Sequence, residues 1–364
     1  MNKKIPNIGI AAVLLVWVTV TCLSWFGPQK DFSLWERRTL QKMPAITADS
    51  LLSGGFMEQF EDYTLDQFPA RDSFRTLKSL FSYGALQMKD NNGIYLADGY
   101  ACKIEYPLNT VSLSHALKKL NFIYEKYLKD TGSKIYMTVI PDKGYYLAGE
   151  NGYPAMDYEK LFSQMKAGMP WAEYVDLTKA LTADDYYRTD THWRQEKLTA
   201  AAKILCSKLN ITMPALTPVT ATNQFYGVYY GQAALPMAAD TLYIMEGEAL
   251  KNCRVYNHET KQYGSVYDMN RLSGPDPYEV YLSGPQALLT VENPNAATDR
   301  ELIVFRDSFG SALAPYFLQD YKSVTLVDIR YVSSQLLSEH LTFHGQDVLF
   351  AYSSLILNNS STMK

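Results

Sequence analysis

From Lys134 onward the chain alternates short, mostly apolar runs with amphipathic ones, and that alternation limits the folds open to it. Residues 134–140, 174–177, 302–305, 323–327 and 347–352 read as strands. Residues 158–165, 194–209, 310–317 and 333–339 read as helices. Strands that are apolar on both faces need cover on each, and helices between parallel strands supply it. The expected class is therefore α/β, a parallel sheet with helices on both faces. In such sheets, sites gather beyond the carboxyl ends of the strands. Residues 213–300 break the pattern with short tyrosine- and glycine-containing runs, such as Phe225-Tyr226-Gly227-Val228-Tyr229-Tyr230. They read as an irregular β-rich insertion bordering the site, and residues 358–361 as a loose tail.

At the other end, residues 8–26 hold no charge over nineteen positions. As a helix with a rise of ~1.5 Å per residue they reach about 28 Å, the thickness of a bilayer's hydrocarbon layer. This predicts an N-terminal transmembrane helix, with a cleaved signal sequence as the alternative. Lys3 and Lys4 predict a cytoplasmic start and an extracytoplasmic remainder. The expected organisation is a stub and anchor at 1–29, a connector and amphipathic helices at 30–92, and a catalytic domain at 93–364. A net charge of −4 without a basic block excludes electrostatically driven nucleic-acid binding. Cys102, Cys206 and Cys253 lack metal-like spacing, and His340 and His344 lack a carboxylate partner, so no metal site is expected.

Two stretches carry chemistry. Thr189-Asp190-Thr191-His192-Trp193 sets an acid and an imidazole two residues apart, on one side of the backbone if the stretch is extended. Val304-Phe305-Arg306-Asp307-Ser308-Phe309-Gly310 carries a strand into a turn and then a helix, which presents Ser308 outward beside free N–H groups. A hydroxyl is a weak nucleophile until a base takes its proton. His192 is the candidate base and Asp190 the group that orients it, the parts of a Ser-His-Asp triad. The competing reading is a surface turn in which His192 caps the following helix. Asp307 reads as a helix cap. The Ser308 N–H and one near Gly310 are candidate oxyanion donors, and Arg306 and Trp193 are further candidates at the site. Lys143, after the strand ending at residue 140, is either an anchor for an acidic or polar substrate or a solvated lysine.

Asp190-Thr191-His192-Trp193 resembles the signature of the DHHW proteins, relatives of the AlgX/AlgJ-like alginate O-acetyltransferases. Other blocks follow in the same order: Trp35-Glu36-Arg37-Arg38-Thr39-Leu40, Asp66-Gln67-Phe68-Pro69-Ala70-Arg71, Asn92-Gly93-Ile94-Tyr95, Ile140-Pro141-Asp142-Lys143 and Arg306-Asp307-Ser308-Phe309. The resemblance implies an SGNH-hydrolase-like domain outside the membrane, with Ser308, His192 and Asp190 as its triad. Such a domain accepts an acyl group, usually acetyl, and passes it to a polysaccharide hydroxyl. The resemblance also implies a multi-spanning membrane acyltransferase as the donor partner, and calls for no cofactor. Arg306 stands where the usual SGNH enzymes carry glycine, so the oxyanion donors stay unassigned. A deacetylase or esterase on the same triad, and a non-catalytic glycan-binding or assembly protein, remain the alternatives.

Overall fold

The computed structural model describes residues 4–364, and side chains from residue 8 onward. Lys3 and the Lys4 side chain, on which the expected orientation rests, lie outside the described residues. The chain divides into two compact units, one of residues 1–92 with 230–237, the other of residues 93–229 with 238–364. Residues 230–237 fall inside the stretch read as the insertion, yet group with the first unit.

The first unit is helical. Helix α1 (Lys4–Phe26) is long and apolar enough over Ile8–Phe26 to cross a membrane. Helices α2 (Gly55–Asp66) and α3 (Arg71–Gly84) follow the expected amphipathic spacing. Their connector is tied to them by charge. Asp66 accepts from Arg38 at 2.8 and 2.5 Å and from the Gln41 N–H at 2.9 Å. Arg71 pairs with Glu36 at 2.5 Å, and Arg75 with the same carboxylate at 3.4 Å. Residues 230–237 join this unit through backbone carbonyls: Arg75 donates to Gly231 and Ser79 to Ala233, both at 2.8 Å.

The second unit is built on an eight-stranded sheet. Its strands are β1 (Ile135–Ile140), β2 (Glu173–Tyr174), β3 (Arg254–Asn257), β4 (Gln262–Gly264), β5 (Leu288–Glu292), β6 (Arg300–Arg306), β7 (Tyr321–Val327) and β8 (Asp347–Ser353). They lie in the order β4-β3-β5-β7-β6-β8-β1-β2. The five from β7 to β2 are parallel, and β5, β3 and β4 extend one edge antiparallel. The expected parallel sheet is there, and part of the insertion is its continuation: β3, β4 and β5 all come from residues 254–292.

Side-chain alternation in β6 divides two cores. Leu302 and Val304 point into one, packed under helix Thr199–Leu209 and the Phe309–Phe317 segment. Ile303 and Phe305 point into the other, under helices Thr110–Ile123 and Tyr158–Gly168. Helices thus cover both faces. The C-terminal tail is packed, against expectation. Ser360 is fully buried, its Oγ bonded to Ser112, and Asn358 Oδ1 accepts the Asn109 N–H at 2.7 Å. Those serines and asparagines are polar because they finish a hydrogen-bond network, not because they face water.

Candidate active site

Ser308 stands just beyond the carboxyl end of β6, at a central position in the sheet and partly accessible. Asp307 shapes the turn before it: its carboxylate accepts the Phe309 N–H at 3.0 Å and the Ser353 N–H at 2.8 Å, pinning the turn to the end of β8. The turn carrying Ser308 is therefore held by a buried acid whose bonds go to backbone N–H groups and not to the serine.

The acid–imidazole stretch is a tight turn, not a strand. Asp190 Oδ1 accepts both the backbone N–H of His192, at 3.0 Å, and the ring Nδ1, at 2.6 Å. A short aspartate closing on the N–H two residues ahead is the usual way such turns form. The Tyr187 N–H to His192 carbonyl bond and the Tyr186–Trp193 bridge close the loop on either side. Asp190 Oδ2 takes the Val228 N–H at 2.9 Å, and Gly227 donates to Thr189 Oγ1 at 2.9 Å. His192 Nε2 then lies 2.7 Å from Ser308 Oγ. Asp190 is fully buried and His192 nearly so, so the relay from carboxylate to imidazole to hydroxyl is shielded until it reaches the serine.

Tyr278 lies face to face on the imidazole, with centroids 3.8 Å apart and planes 8° from parallel. Burial pushes its phenol well above the ordinary tyrosine value, so it stays neutral. Its hydroxyl has no hydrogen-bond partner among the described residues. Tyr278 and Gly227 are the residues that sequence reading missed. Both sit in the insertion, where nothing about spacing marks them.

The four further candidates face inward. Lys143 is a strut: its buried ammonium donates to the carbonyls of Tyr187 (2.8 Å), Arg188 (3.2 Å) and Asp190 (2.7 Å). Burial pulls that ammonium below its ordinary value, partly offset by nearby acidic groups. It holds the acid–imidazole loop and is not placed to anchor a substrate. Trp193 is fully buried, its indole N–H donating to the Phe309 carbonyl at 3.1 Å beneath the elbow. Arg306 is fully buried, 3.7 Å from Asp328, and its stem lies against Gly310 in the turn after the serine. Gly310 spends its N–H on the Asp307 carbonyl at 3.1 Å. It is glycine because a Cβ would come within 2.6 Å of the Arg306 side chain. The Ser308 N–H donates to no acceptor among the described residues, which leaves it as the candidate oxyanion donor at the turn.

The geometry sets a serine hydroxyl in line with a buried carboxylate–imidazole pair. Residues 152–327 match the DHHW protein family. The DHHW match contains all three members of the relay, and the relation expected from the signature stretch is borne out. Among solved structures the chain is similar to a DHHW family protein from Eubacterium siraeum DSM 15702, with TM-score 0.60 and 22% identity, over 75% of this chain and 95% of that one. It is also similar to Bacillus cereus PatB1, with TM-score 0.57 and 15% identity, over 72% of this chain and 96% of that one. PatB1 bearing a sulfonyl adduct gives TM-score 0.56. At these identities the likeness establishes a shared α/β fold. No curated protein matches the chain.

Proposed function

We propose that this protein is a serine-dependent O-acyltransferase, held by α1 in the cytoplasmic membrane with its catalytic unit outside. It moves an acetyl group from a donor to a hydroxyl of a cell-surface or secreted polysaccharide. The observation that carries the reading is the unbroken chain Asp190–His192–Ser308, with links of 2.6 and 2.7 Å. These lengths are what a general base and its orienting acid require.

The steps follow from the atoms. Ser308 Oγ attacks the donor's acyl carbon while His192 Nε2 takes the hydroxyl proton. The Ser308 N–H supports the oxyanion as it forms. Collapse breaks the bond to the leaving group, which takes the proton from the imidazolium, and leaves an acyl-serine. A sugar hydroxyl then gives its proton to His192 and attacks the ester, and the imidazolium returns a proton to Ser308 Oγ. Water in place of the sugar would give hydrolysis on the same groups. A multi-spanning membrane acyltransferase is the partner proposed to deliver the acyl group.

The test incubates the full chain with an aryl acetate and an oligosaccharide and follows both products by mass spectrometry. Acetylated sugar that disappears with Ser308→Ala is the expected result. A sulfonyl fluoride should also label the chain and fail on Ser308→Ala, paralleling the adduct captured on PatB1. Aryl acetate cleavage undiminished in Ser308→Ala would refute the reading, and free acetate with no acetylated sugar would replace transfer by hydrolysis.

A further inference from the structure

Helix α3 is inside out. Its inward Ser79 and Ser82 are 0% and 5% exposed, while Phe74, Leu77 and Phe81 are 54%, 60% and 57% exposed. The three apolar residues share one face at three- and four-residue spacing, and exposed Lys78 flanks it. The orientation is fixed by hydrogen bonds: Ser79 donates to the Ala233 carbonyl at 2.8 Å and accepts from Asn91 at 2.7 Å. A helix on a water-facing surface turns its apolar stripe to the core. Here the stripe turns outward, and large apolar side chains such as these are favoured to leave water. Something apolar therefore belongs against it.

The place of α3 says what. The last turn of α1 is tied to α2: the Tyr63 hydroxyl lies 3.3 Å from the carbonyls of both Ser24 and Trp25, and the Trp25 ring lies 5.6 Å from Phe60. A cavity of about 400 Å³ at the end of α1, lined by Leu23 and Gly27, is also lined by Phe68 and Arg71, where α2 gives way to α3. Phe68 meets Phe74 edge to face at 5.2 Å. So α3 begins beside the point where the apolar segment of α1 ends, and the tryptophan there is of the kind that marks a membrane–water boundary.

We propose that α3 lies in the headgroup–acyl boundary of the leaflet from which α1 emerges, with Phe74, Leu77 and Phe81 inserted among the lipid chains. This rests on the reading of α1 as a membrane anchor. A helix with an apolar face of this kind and a flanking lysine sits about 5–10 Å into that boundary. The consequence is a second membrane contact that fixes the tilt of the first unit, where α1 alone leaves it free to swivel.

The test uses the full chain, with Cys22→Ser and Cys253→Ser, in nanodiscs of phosphatidylcholine and phosphatidylglycerol. Single cysteines replace Leu77, Phe81 or, within α1, Val13, and carry an environment-sensitive dye; the free dye in buffer sets the aqueous value. The expected result is blue-shifted emission at Leu77→Cys and Phe81→Cys that chain-brominated lipid quenches, as it does at Val13→Cys. Quenching at Val13→Cys with aqueous emission at the other two overturns the proposal and leaves the anchor standing. Aqueous emission at all of them removes the anchor, and the proposal with it. A blue shift that brominated lipid does not quench assigns the face to protein, a second copy or a membrane partner, and overturns it equally.

Discussion

Replacing Gly227 by alanine should disable the site without touching any member of the relay. A Cβ there would sit 2.2 Å from Asp190 Cβ and 2.4 Å from its Cα. Carbon atoms in contact keep about 3.5–4.0 Å, so one segment has to retreat by roughly 1.3 Å or more. The Gly227 and Val228 N–H groups hold Thr189 and Asp190 at 2.9 Å, so the two segments cannot part without losing those bonds. The strain falls on the Asp190 carboxylate and passes through its 2.6 Å bond to the imidazole. A misplacement of ~1 Å in a catalytic group costs on the order of 10²-fold in rate. Overpacking costs about 1–3 kcal/mol in stability, which leaves most proteins folded. Initial rates of aryl acetate cleavage should show kcat down by about that factor with KM little changed, and circular dichroism should show the fold retained. Gly149→Ala is the control, since a Cβ there meets nothing within 4 Å. A Gly227→Ala protein with wild-type kcat would show that the close approach does not govern the relay, and the reasoning would fail.

Tyr278→Leu removes the ring stacked on the His192 imidazole, and losing a stacked pair worth about 0.5–1.5 kcal/mol should lower kcat/KM for aryl acetate by roughly two- to tenfold. Tyr278→Phe keeps the ring and should leave the rate in place. Lys143→Met strips the donor from three carbonyls, and at about 1–3 kcal/mol for each buried acceptor left dry, urea denaturation should show a marked loss of stability together with lost activity. At Asp66, burial works to raise the carboxyl, but the Arg38 bonds and the Gln41 N–H outweigh it and hold the group below its ordinary value. A depressed acid contributes stability that is present above its unfolded value, about pH 4, and is lost as pH falls through the folded value. The Tm gap between wild type and Asp66→Asn should therefore be open at neutral pH and close in acid; a gap that widens below pH ~4 contradicts the sign.

Much of the fold could be read from residue pattern because its signals are local. Apolar runs such as Ile135–Ile140 and residues 302–305 differ from their flanks, and the strand-to-helix break at Ser308 follows from the residues around it. The relay's members were visible as residue types, but not their backbone: Asp190 closes a turn with His192 because its short side chain reaches an N–H, and composition does not choose between that and a strand. What the sequence could not show is direction. Lys143, Trp193 and Arg306 are buried rather than open to a substrate: the first two donate to backbone carbonyls of distant segments, and Arg306 lies 3.7 Å from the buried Asp328. Gly227 and Tyr278 come from the insertion and depend on a long-range approach that no spacing encodes. The inverted face of α3 has the same cause. Periodicity places Phe74, Leu77 and Phe81 on one stripe but cannot say which way it faces, and that is decided by Asn91 and Ala233.

Behind the reactive groups, the segment following His192 is clasped to the helix following Ser308 at three points. Trp193 donates to the Phe309 carbonyl at 3.1 Å, Gln195 to that of Ala312 at 2.8 Å, and Tyr316 to that of Gln195 at 2.7 Å. The separation of His192 from Ser308 is thus gauged from the rear, by contacts among buried side chains. The site is cocked before anything arrives.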